Sequence, residues 1–272
     1  MNPVAQDQDV FAKFKEMQKQ GWSHFAPLEM MTTPPAARLV AHAHVLPGQK
    51  LLDVGTGTGV VAVTAARLGA HVTGLDLTPA LLERARENSN IAGVDVEWHQ
   101  GDVEFLPFET GTYDVVTSQF GHMFAPRPEL AVSEMLRVLK PGGTIAFSTW
   151  PPESIIGQTL QLVGRYMPPP PPGVSPPHQW GDPTLVRERL GEGVKDIAFN
   201  RGTFFASALS PQHFRVHLEQ TAGPVIKLVE NLSTSDPARL EEFRHLYEGL
   251  VEEYLEDNTV RQDYLLTRAT KI

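Results

Sequence analysis

The sequence predicts an α/β fold in which short, mostly parallel strands alternate with helices, and three observations support it. From Lys50 onward, short apolar runs bounded by Gly or Asp alternate with helical patterns, which is typical of βαβ units. A strand ending at Val54 continues directly into a glycine-rich turn and a helix of small residues. The segment 140–143, Lys-Pro-Gly-Gly, is a strong helix stop followed by another apolar run.

Composition restricts the class of protein. The chain has 272 residues, 41% of them hydrophobic, which is enough for a full core. Because 32 acidic residues face 23 basic ones, for a net charge of −9, we expect no binding to bulk nucleic acid. The absence of cysteine excludes disulfides, thiolate nucleophiles and cysteine-ligated metals. The first 20 residues lack the apolar segment of a signal peptide, and no apolar run has the length of a membrane span. A cytoplasmic location is therefore expected.

The periodicity places each element along a single predicted domain. Strands are predicted at residues 50–54, 71–76, 94–99, 113–118, 144–150, 196–206 and 261–270. Helices are predicted at residues 7–20, 35–45, 59–68, 79–92, 129–139, 211–221, 225–232 and 237–256. Four parts follow: an N-terminal helical cap at 1–46, a cofactor-binding core at 47–150, a proline-rich insertion at 151–195, and the last two strands with inserted helices at 196–272.

The insertion contains a short helix and then a proline-rich run over residues 151–183. Prolines at this density hold an extended conformation, as in a stiff linker or a ligand for a partner protein. Because strand-like sequence resumes afterwards, we favour a lid over a pocket.

The most informative motif is the glycine-rich turn after the first strand. Gly55, Gly57 and Gly59 stand at every second position, where glycine permits a tight turn and close approach of a ligand to the helix N-terminus. A dinucleotide fingerprint needs glycine at the sixth place, which is Val60 here, so NAD and FAD are disfavoured. Asp53 lies in the strand and requires a cationic or donor-rich partner. The amino-acid end of S-adenosylmethionine provides both.

Two further acids follow the next strands. Asp76 ends the second strand, where a carboxylate accepts hydrogen bonds from a ribose diol. Asp102 follows the third strand, where a carboxylate can accept from an adenine amino group. Either acid alone is as readily a turn or helix-cap residue. Their succession after the glycine turn favours the nucleoside interpretation.

The stretches LDVGTGTG, GLDLTPALLERAR and GDVEFLPFETGTYDVVTSQFGHMFAPRPELAVSEMLRVLKPGG resemble the class I S-adenosylmethionine-dependent methyltransferases, in particular the branch with quinone-biosynthesis C-methyltransferases. The resemblance covers residues 47–150 and implies a Rossmann-like sheet of seven strands, the last antiparallel, with helices on both faces. It assigns the following to S-adenosylmethionine: Asp53, Gly55, Thr56, Gly57 and Gly59 at the methionine end, Asp76 at the ribose, Leu77 at one adenine face, and Asp102 with Val103 at the adenine edge. The segment after the fifth strand varies within that family, so the resemblance implies no substrate for the insertion.

The loop after the fourth strand is expected to face the transferred methyl group, because ligands of open α/β sheets bind beyond the carboxyl ends of the strands. Gln119, at that strand end, is predicted to contact the cofactor. His122 is a candidate general base with an ordinary pKa near neutrality. The alternative is a histidine that only orders the loop. Phe120 and Met123 are predicted to line an apolar pocket, with core packing as the equal alternative.

Three tryptophans, Trp22, Trp150 and Trp180, are also candidates for the pocket lining, although a single tryptophan is more often a core residue. His42 and His44 stand two apart on a predicted helix and point to different faces. We interpret them as structural and predict no metal site.

These features predict a methyltransferase that moves the sulfonium methyl group in line to an O, N or C atom of a small molecule. The main contributions of the chain would be alignment of the two reactants and exclusion of water. Two alternatives stay open: methylation of a macromolecule, RNA or protein, and a non-catalytic protein that binds S-adenosylmethionine or S-adenosylhomocysteine.

Overall fold

The computed structural model describes residues 3–272, and the side chains from Val10 onward. Within this part of the chain, eight strands form one sheet of order β3-β2-β1-β4-β5-β8-β6, with the two-residue β7 paired to β8. The strands are β1 (Lys50–Val54), β2 (His71–Asp76), β3 (Val96–Gln100), β4 (Tyr113–Gln119), β5 (Leu139–Thr149), β6 (Val194–Ser207), β7 (Leu255–Glu256) and β8 (Thr259–Lys271). Strands β1 to β5 pair in parallel, whereas β8 is antiparallel to both β5 and β6. The predicted mostly parallel sheet is confirmed.

The helices have clear start signals in the sequence. Their bounds are α1 (Pro3–Trp22), α2 (Glu29–His42), α3 (Val60–Arg67), α4 (Pro79–Ala92), α5 (Pro128–Val138), α6 (Ile155–Tyr166), α7 (Pro183–Leu190), α8 (Pro211–Thr221), α9 (Gly223–Ser235) and α10 (Pro237–Glu252). Four begin after an N-cap side chain that accepts a backbone N–H, namely Ser154, Asp182, Ser210 and Asp236. Proline in the first turn, where no N–H partner is needed, opens seven of the ten. No described helix is long and apolar enough to cross a membrane.

Two predicted starts differ from the structure by five residues or more. Helix α2 begins at Glu29 and contains Pro34 and Pro35, although proline position indicated a start at 35. The carboxylate of Glu29 accepts from Arg84 and Asn88, so contacts with α4 stabilise the early turn. Strand β5 begins at Leu139, which pairs with Tyr113 before a register shift, so segment 140–143 lies within the strand.

The insertion also differs from the prediction. Helix α7 was not predicted, because Pro183 was assigned to the proline-rich loop. Asp182 caps this helix by accepting from the N–H of Thr184 over 2.8 Å. An N-cap followed by proline was therefore a usable signal in the sequence.

The buried apolar side chains form two clusters. The larger lies between the sheet and the helices α2, α3, α5 and α7. The smaller lies among α6, α8, α9 and α10, with the ends of β6 and β8. Met31 and Ile156 pack against both clusters, and both residues border a cavity at the carboxyl ends of the parallel strands.

Candidate active site

The cavity has two chemically different ends, which we name the polar half and the apolar half. The polar half is bordered by the carboxyl ends of β1, β2 and β3 and the loops after them, which together contain Asp53, Gly57, Asp76 and Asp102. The apolar half is bordered by the loops after β4 and β5, by α6 and α8, and by facing residues of β6 and β8. Ligands of open α/β sheets bind at this edge.

The three glycines of the first loop have positive φ angles of 61°, 57° and 81° at Gly55, Gly57 and Gly59. A Cβ on Gly55 would lie 2.9 Å from the Cα of Gly121, and one on Gly59 would lie 2.6 Å from the ring of Trp98. A Cβ on Gly57 would meet no protein atom within 4 Å. Gly55 and Gly59 therefore permit close packing, whereas Gly57 keeps backbone exposed to the cavity.

Asp53 is a buried acid whose hydrogen-bond partners are neutral. The hydroxyl of Thr56 donates to its Oδ2 over 2.6 Å, and the hydroxyl of Thr117 donates to its Oδ1 over 2.9 Å. Burial disfavours the charge and raises the pKa of Asp53 to about 7, although both hydroxyl bonds act in the opposite direction. A cation placed in the polar half would favour the carboxylate form.

Asp76 connects the first two loops. Its Oδ2 accepts the backbone N–H of Gly57 over 2.8 Å, and its Oδ1 accepts that of Thr78 over 2.8 Å. Burial raises the pKa of Asp76, and the backbone hydrogen bonds partly offset this rise. Each oxygen keeps a lone pair for a ligand, so Asp76 can both shape the glycine loop and accept from a diol.

Asp102 has a protein partner that the sequence did not indicate. Lys15, on α1, lies 2.5 Å from Oδ2 of Asp102 and 2.5 Å from Oε2 of Glu104. Glu104 is fully buried and also binds the guanidinium of Arg127. Lys15 and Asp102 both border the cavity, as do Leu77 and Val103. The polar pattern of α1 gave no sign of a contact 87 residues away.

Gln119 borders the cavity at the end of β4. Its Nε2 donates to the carbonyl of Thr32 over 2.7 Å, which ties β4 to α2. Its Oε1 has no hydrogen-bond partner among the described residues. The side chain is thus fixed by one end only.

An aromatic wall lies in the apolar half. The rings of Phe120 and Trp150 stack at 3.8 Å between centroids, with Tyr264 edge-on to Phe120 and Phe204 tilted against Trp150. Phe120 has a φ of 58°, unusual for a residue with a Cβ, so its loop holds it under backbone strain. Phe120, Trp150 and Trp22 all border the cavity.

Two predicted pocket residues lie elsewhere. Met123 and Trp180 are 0% and 1% exposed and do not border the cavity in the described structure. The carbonyl of Trp180 accepts from the hydroxyl of Thr149, and the guanidinium of Arg189 lies 4.5 Å from its ring centroid. The pocket prediction was therefore wrong for both residues, because the insertion folds back onto β5 and encloses them in the core.

The structure argues against the predicted general base. His122 borders the cavity, but it is 1% exposed, and both of its ring nitrogens are enclosed without a hydrogen-bond partner among the described residues. Its ring packs at 4.6 Å from those of Phe147 and Trp180. Burial, with a smaller contribution from Arg189, lowers the pKa of His122 to about 3. The imidazole is neutral near pH 7 and packs as an aromatic side chain.

Sequence reasoning missed Gln262 and Phe204, which face each other on β8 and β6 and border the cavity. Neither belongs to a motif, and only the pairing of the two strands brings them to the site. His42 and His44, which we interpreted as structural, lie at the end of α2 and just beyond it. The guanidinium of Arg268 contacts the ring of His44. The described residues contain no group of three His, Asp or Glu side chains placed to hold a metal ion.

Comparison with known proteins places the chain in a family. A profile described as a methyltransferase domain matches residues 52–147. An uncharacterized protein of Mycobacterium tuberculosis is 34% identical over 259 residues, which cover 93% of each chain. A ubiquinone biosynthesis O-methyltransferase of Paraburkholderia xenovorans is 36% identical over 147 residues, or 53% of this chain and 63% of that protein.

Solved structures agree with the fold. The YcgJ protein of Bacillus subtilis matches with a TM-score of 0.57 and 18% identity over 87% of this chain and 97% of that one. Phosphoethanolamine N-methyltransferase 2 of Haemonchus contortus, solved with S-adenosyl-L-methionine, matches with a TM-score of 0.54 and 20% identity over 88% of this chain and 52% of that one.

The chain belongs to the class I S-adenosylmethionine-dependent methyltransferases. S-adenosylmethionine is its cofactor. The polar half fits this molecule, because Gly57 leaves open space above the loop and two buried acids, Asp53 and Asp76, face the same cavity.

Proposed function

We propose that the protein methylates a small molecule bound in the apolar half of the cavity. One observation supports this most strongly: the glycine loop and the aromatic wall border the same cavity, which α1, α6 and α8 cover. An acceptor must reach the methyl group through this covered, apolar space. A small, largely apolar molecule fits such a space better than a folded RNA or a protein surface does.

The polar half would hold the cofactor through residues of three loops. Asp76 is placed to accept from the ribose hydroxyls, and Asp53 faces the charged methionine end. Leu77 and Val103 border the same end of the cavity and are suited to contact the adenine faces. The Asp102 carboxylate, already paired with Lys15, would take a smaller part at the adenine edge.

When bound, S-adenosylmethionine supplies an activated methyl group. The chain would align the cofactor with the acceptor. Gly55 and Gly121 are in close contact, and this contact brings the glycine loop beside the strained Phe120. The stacked Phe120 and Trp150 would orient a planar acceptor, and the apolar lining would exclude water. His122 is a poor candidate for a base in this function, because its ring nitrogens are enclosed and burial lowers its pKa to about 3.

The name of one relative supports a small acceptor. The protein of Paraburkholderia xenovorans is a ubiquinone biosynthesis O-methyltransferase, and ubiquinone is an apolar small molecule with a planar ring. That match covers 53% of this chain, so it gives support for the type of acceptor and not for a particular one. The net charge of −9 also disfavours RNA.

Methyl-labelled cofactor tests the proposal directly. The protein is incubated with a cell extract and the label is then measured separately in small molecules, RNA and protein. We expect label in the small-molecule fraction, absent with the Gly57→Val variant. Label that appears mainly in RNA or protein, and depends on the wild-type enzyme, would overturn the proposal.

A further inference from the structure

Gln262 has a buried carboxamide that the fold does not use. The residue is 0% exposed, and neither Nε2 nor Oε1 forms a hydrogen bond with the described part of the chain. A buried amide without partners destabilises a fold relative to an apolar side chain of the same shape. Methionine or leucine would pack here at lower cost, so a partner from outside the chain explains the glutamine best.

The sheet places this amide at the ligand edge. Strand β5 ends at Thr149, which pairs with Leu265 of β8. Gln262 precedes Leu265 by three residues in the antiparallel β8, so it lies beyond the carboxyl end of β5. It pairs with Phe204 of β6. Alternation along the strand puts the side chains of Gln262 and Tyr264 on one face, and the Tyr264 ring lies 5.9 Å from that of Phe120. Gln262 therefore stands beside the aromatic wall and borders the same cavity.

The apolar half, where Gln262 lies, differs from the polar half in its charged residues. The acids that border the cavity, Asp53, Asp76 and Asp102, all belong to the polar half. Lys15 is the one cation bordering the cavity among the described residues, and Asp102 and Glu104 bind it at the polar end. An acceptor with a net charge would be desolvated in the apolar half without a counterion, which is costly.

We propose that Gln262 is the polar recognition residue for the methyl acceptor, and that the acceptor is a neutral planar molecule with a hydrogen-bond donor and acceptor side by side, as in a lactam. The ring lies along the stacked Phe120 and Trp150, while its donor and acceptor pair with Oε1 and Nε2 of Gln262. This inference rests on the proposed function and specifies the class of substrate for the same site.

Three bicyclic probes of similar size test the chemistry: 2-quinolinone, which has an adjacent N–H and C=O, N-methyl-2-quinolinone, which lacks the donor, and the anion quinoline-2-carboxylate. Their binding to the protein loaded with S-adenosylhomocysteine is measured by calorimetry. We expect 2-quinolinone to bind most tightly and the anion least. Gln262→Met should weaken 2-quinolinone by roughly tenfold and change N-methyl-2-quinolinone by less than about threefold.

Gln161→Met is the matched control, because Gln161 is a partly buried glutamine of α6 whose amide donates to the carbonyl of Pro152 and which does not border the cavity. Thermal unfolding adds a readout independent of the probes. Removing an unused amide should raise Tm by about 1–4 °C in Gln262→Met, whereas removing a used one should lower Tm in Gln161→Met. Both variants should bind S-adenosylhomocysteine as the wild type does.

A lower Tm in Gln262→Met would show that the fold uses this amide and would overturn the inference. So would failure of 2-quinolinone to bind, or equal binding of all three probes. If the probes bind without discrimination while labelled methyl still enters small molecules, the proposed function stands and only the role of Gln262 fails. If label enters RNA or protein instead, the proposed function itself fails.

Discussion

The two halves of the cavity are built in different ways. The polar half is formed by residues 53–103, in which the ends of three successive strands each place a glycine or an acid at the cavity. The apolar half is assembled from segments that lie far apart in sequence, around residues 22, 120, 150, 160, 204 and 262. A binding surface made by consecutive βα units is visible as a motif. A pocket made by distant segments depends on how those segments pack.

If the two halves bind different ligands, substitutions in the polar half should change cofactor binding, and substitutions in the apolar half should not. Gly57→Val should have the largest effect. Its φ of 57° resists a branched side chain, and the new atoms would occupy cavity space. We expect binding of S-adenosylhomocysteine to fall by more than about 100-fold in calorimetry.

Gly93→Val is the matched control for this experiment. Gly93 has a φ of 65° and open space where a Cβ would be, but it ends α4 away from the cavity. Its variant should lose stability and keep cofactor affinity. Equal loss of affinity in both variants would mean that backbone strain, and not occupied ligand space, explains the result.

Asp76→Ala should have the next largest effect. It removes the predicted ribose acceptor and also frees the N–H groups of Gly57 and Thr78. We expect affinity for S-adenosylhomocysteine to fall roughly 10- to 100-fold. Asp114→Ala is the control, because Asp114 likewise accepts a backbone N–H, from Lys50, but does not border the cavity. Wild-type affinity in Asp76→Ala would show that the ribose binds elsewhere.

Asp53 should make cofactor affinity depend on pH. Burial raises its pKa to about 7, and the ammonium group of the cofactor would favour the carboxylate. Binding below pH 7 should therefore release a proton, and affinity should fall by up to about tenfold per pH unit as pH decreases from 7. Calorimetry in buffers of different protonation enthalpy measures this release.

Asp53→Asn should remove the proton release, whereas the control Asp114→Asn should keep it, because Lys140 and the N–H of Lys50 lower the pKa of Asp114. An affinity of the wild type that stays constant between pH 6 and 8 would contradict the assignment of Asp53 to the charged end of the cofactor.

His122→Leu should have the smallest effect on the reaction, lowering kcat by less than about tenfold, in contrast to the larger loss expected for a general base. Its effect should appear in stability. The pKa of His122 is lowered to about 3 in the folded protein from an ordinary 6.5, so the stability it contributes is present above pH 6.5 and is lost as pH falls toward 3.

The His122→Leu variant has no group that loses stability in this way. Between pH 7 and pH 5 its free energy of unfolding, measured with denaturant, should therefore rise by on the order of 2 kcal/mol relative to that of the wild type. The exposed His24→Gln serves as control and should show no such gain. A rate that rises through pH 6.5 in the wild type and not in His122→Leu would restore the general base.

The sequence predicted the sheet and most of its strands because periodicity and glycine turns are local properties. It also indicated Asp53, Gly57 and Asp76, which the structure brings to one cavity. It did not indicate Lys15 or Gln262, because a single helix lysine and a single strand glutamine carry no pattern of their own. It placed Trp180 in the pocket and made His122 a candidate base, because the sequence does not show that the insertion packs against β5 and encloses both rings.

The division of the cavity is tested most directly by a crystal structure of the protein with S-adenosylhomocysteine. We expect the ribose hydroxyls at Asp76, the adenine between Leu77 and Val103, and the sulfur directed at Phe120 and Trp150, with the amide of Gln262 out of contact with the cofactor. A cofactor that lies along the aromatic wall and hydrogen-bonds to Gln262 would contradict the account.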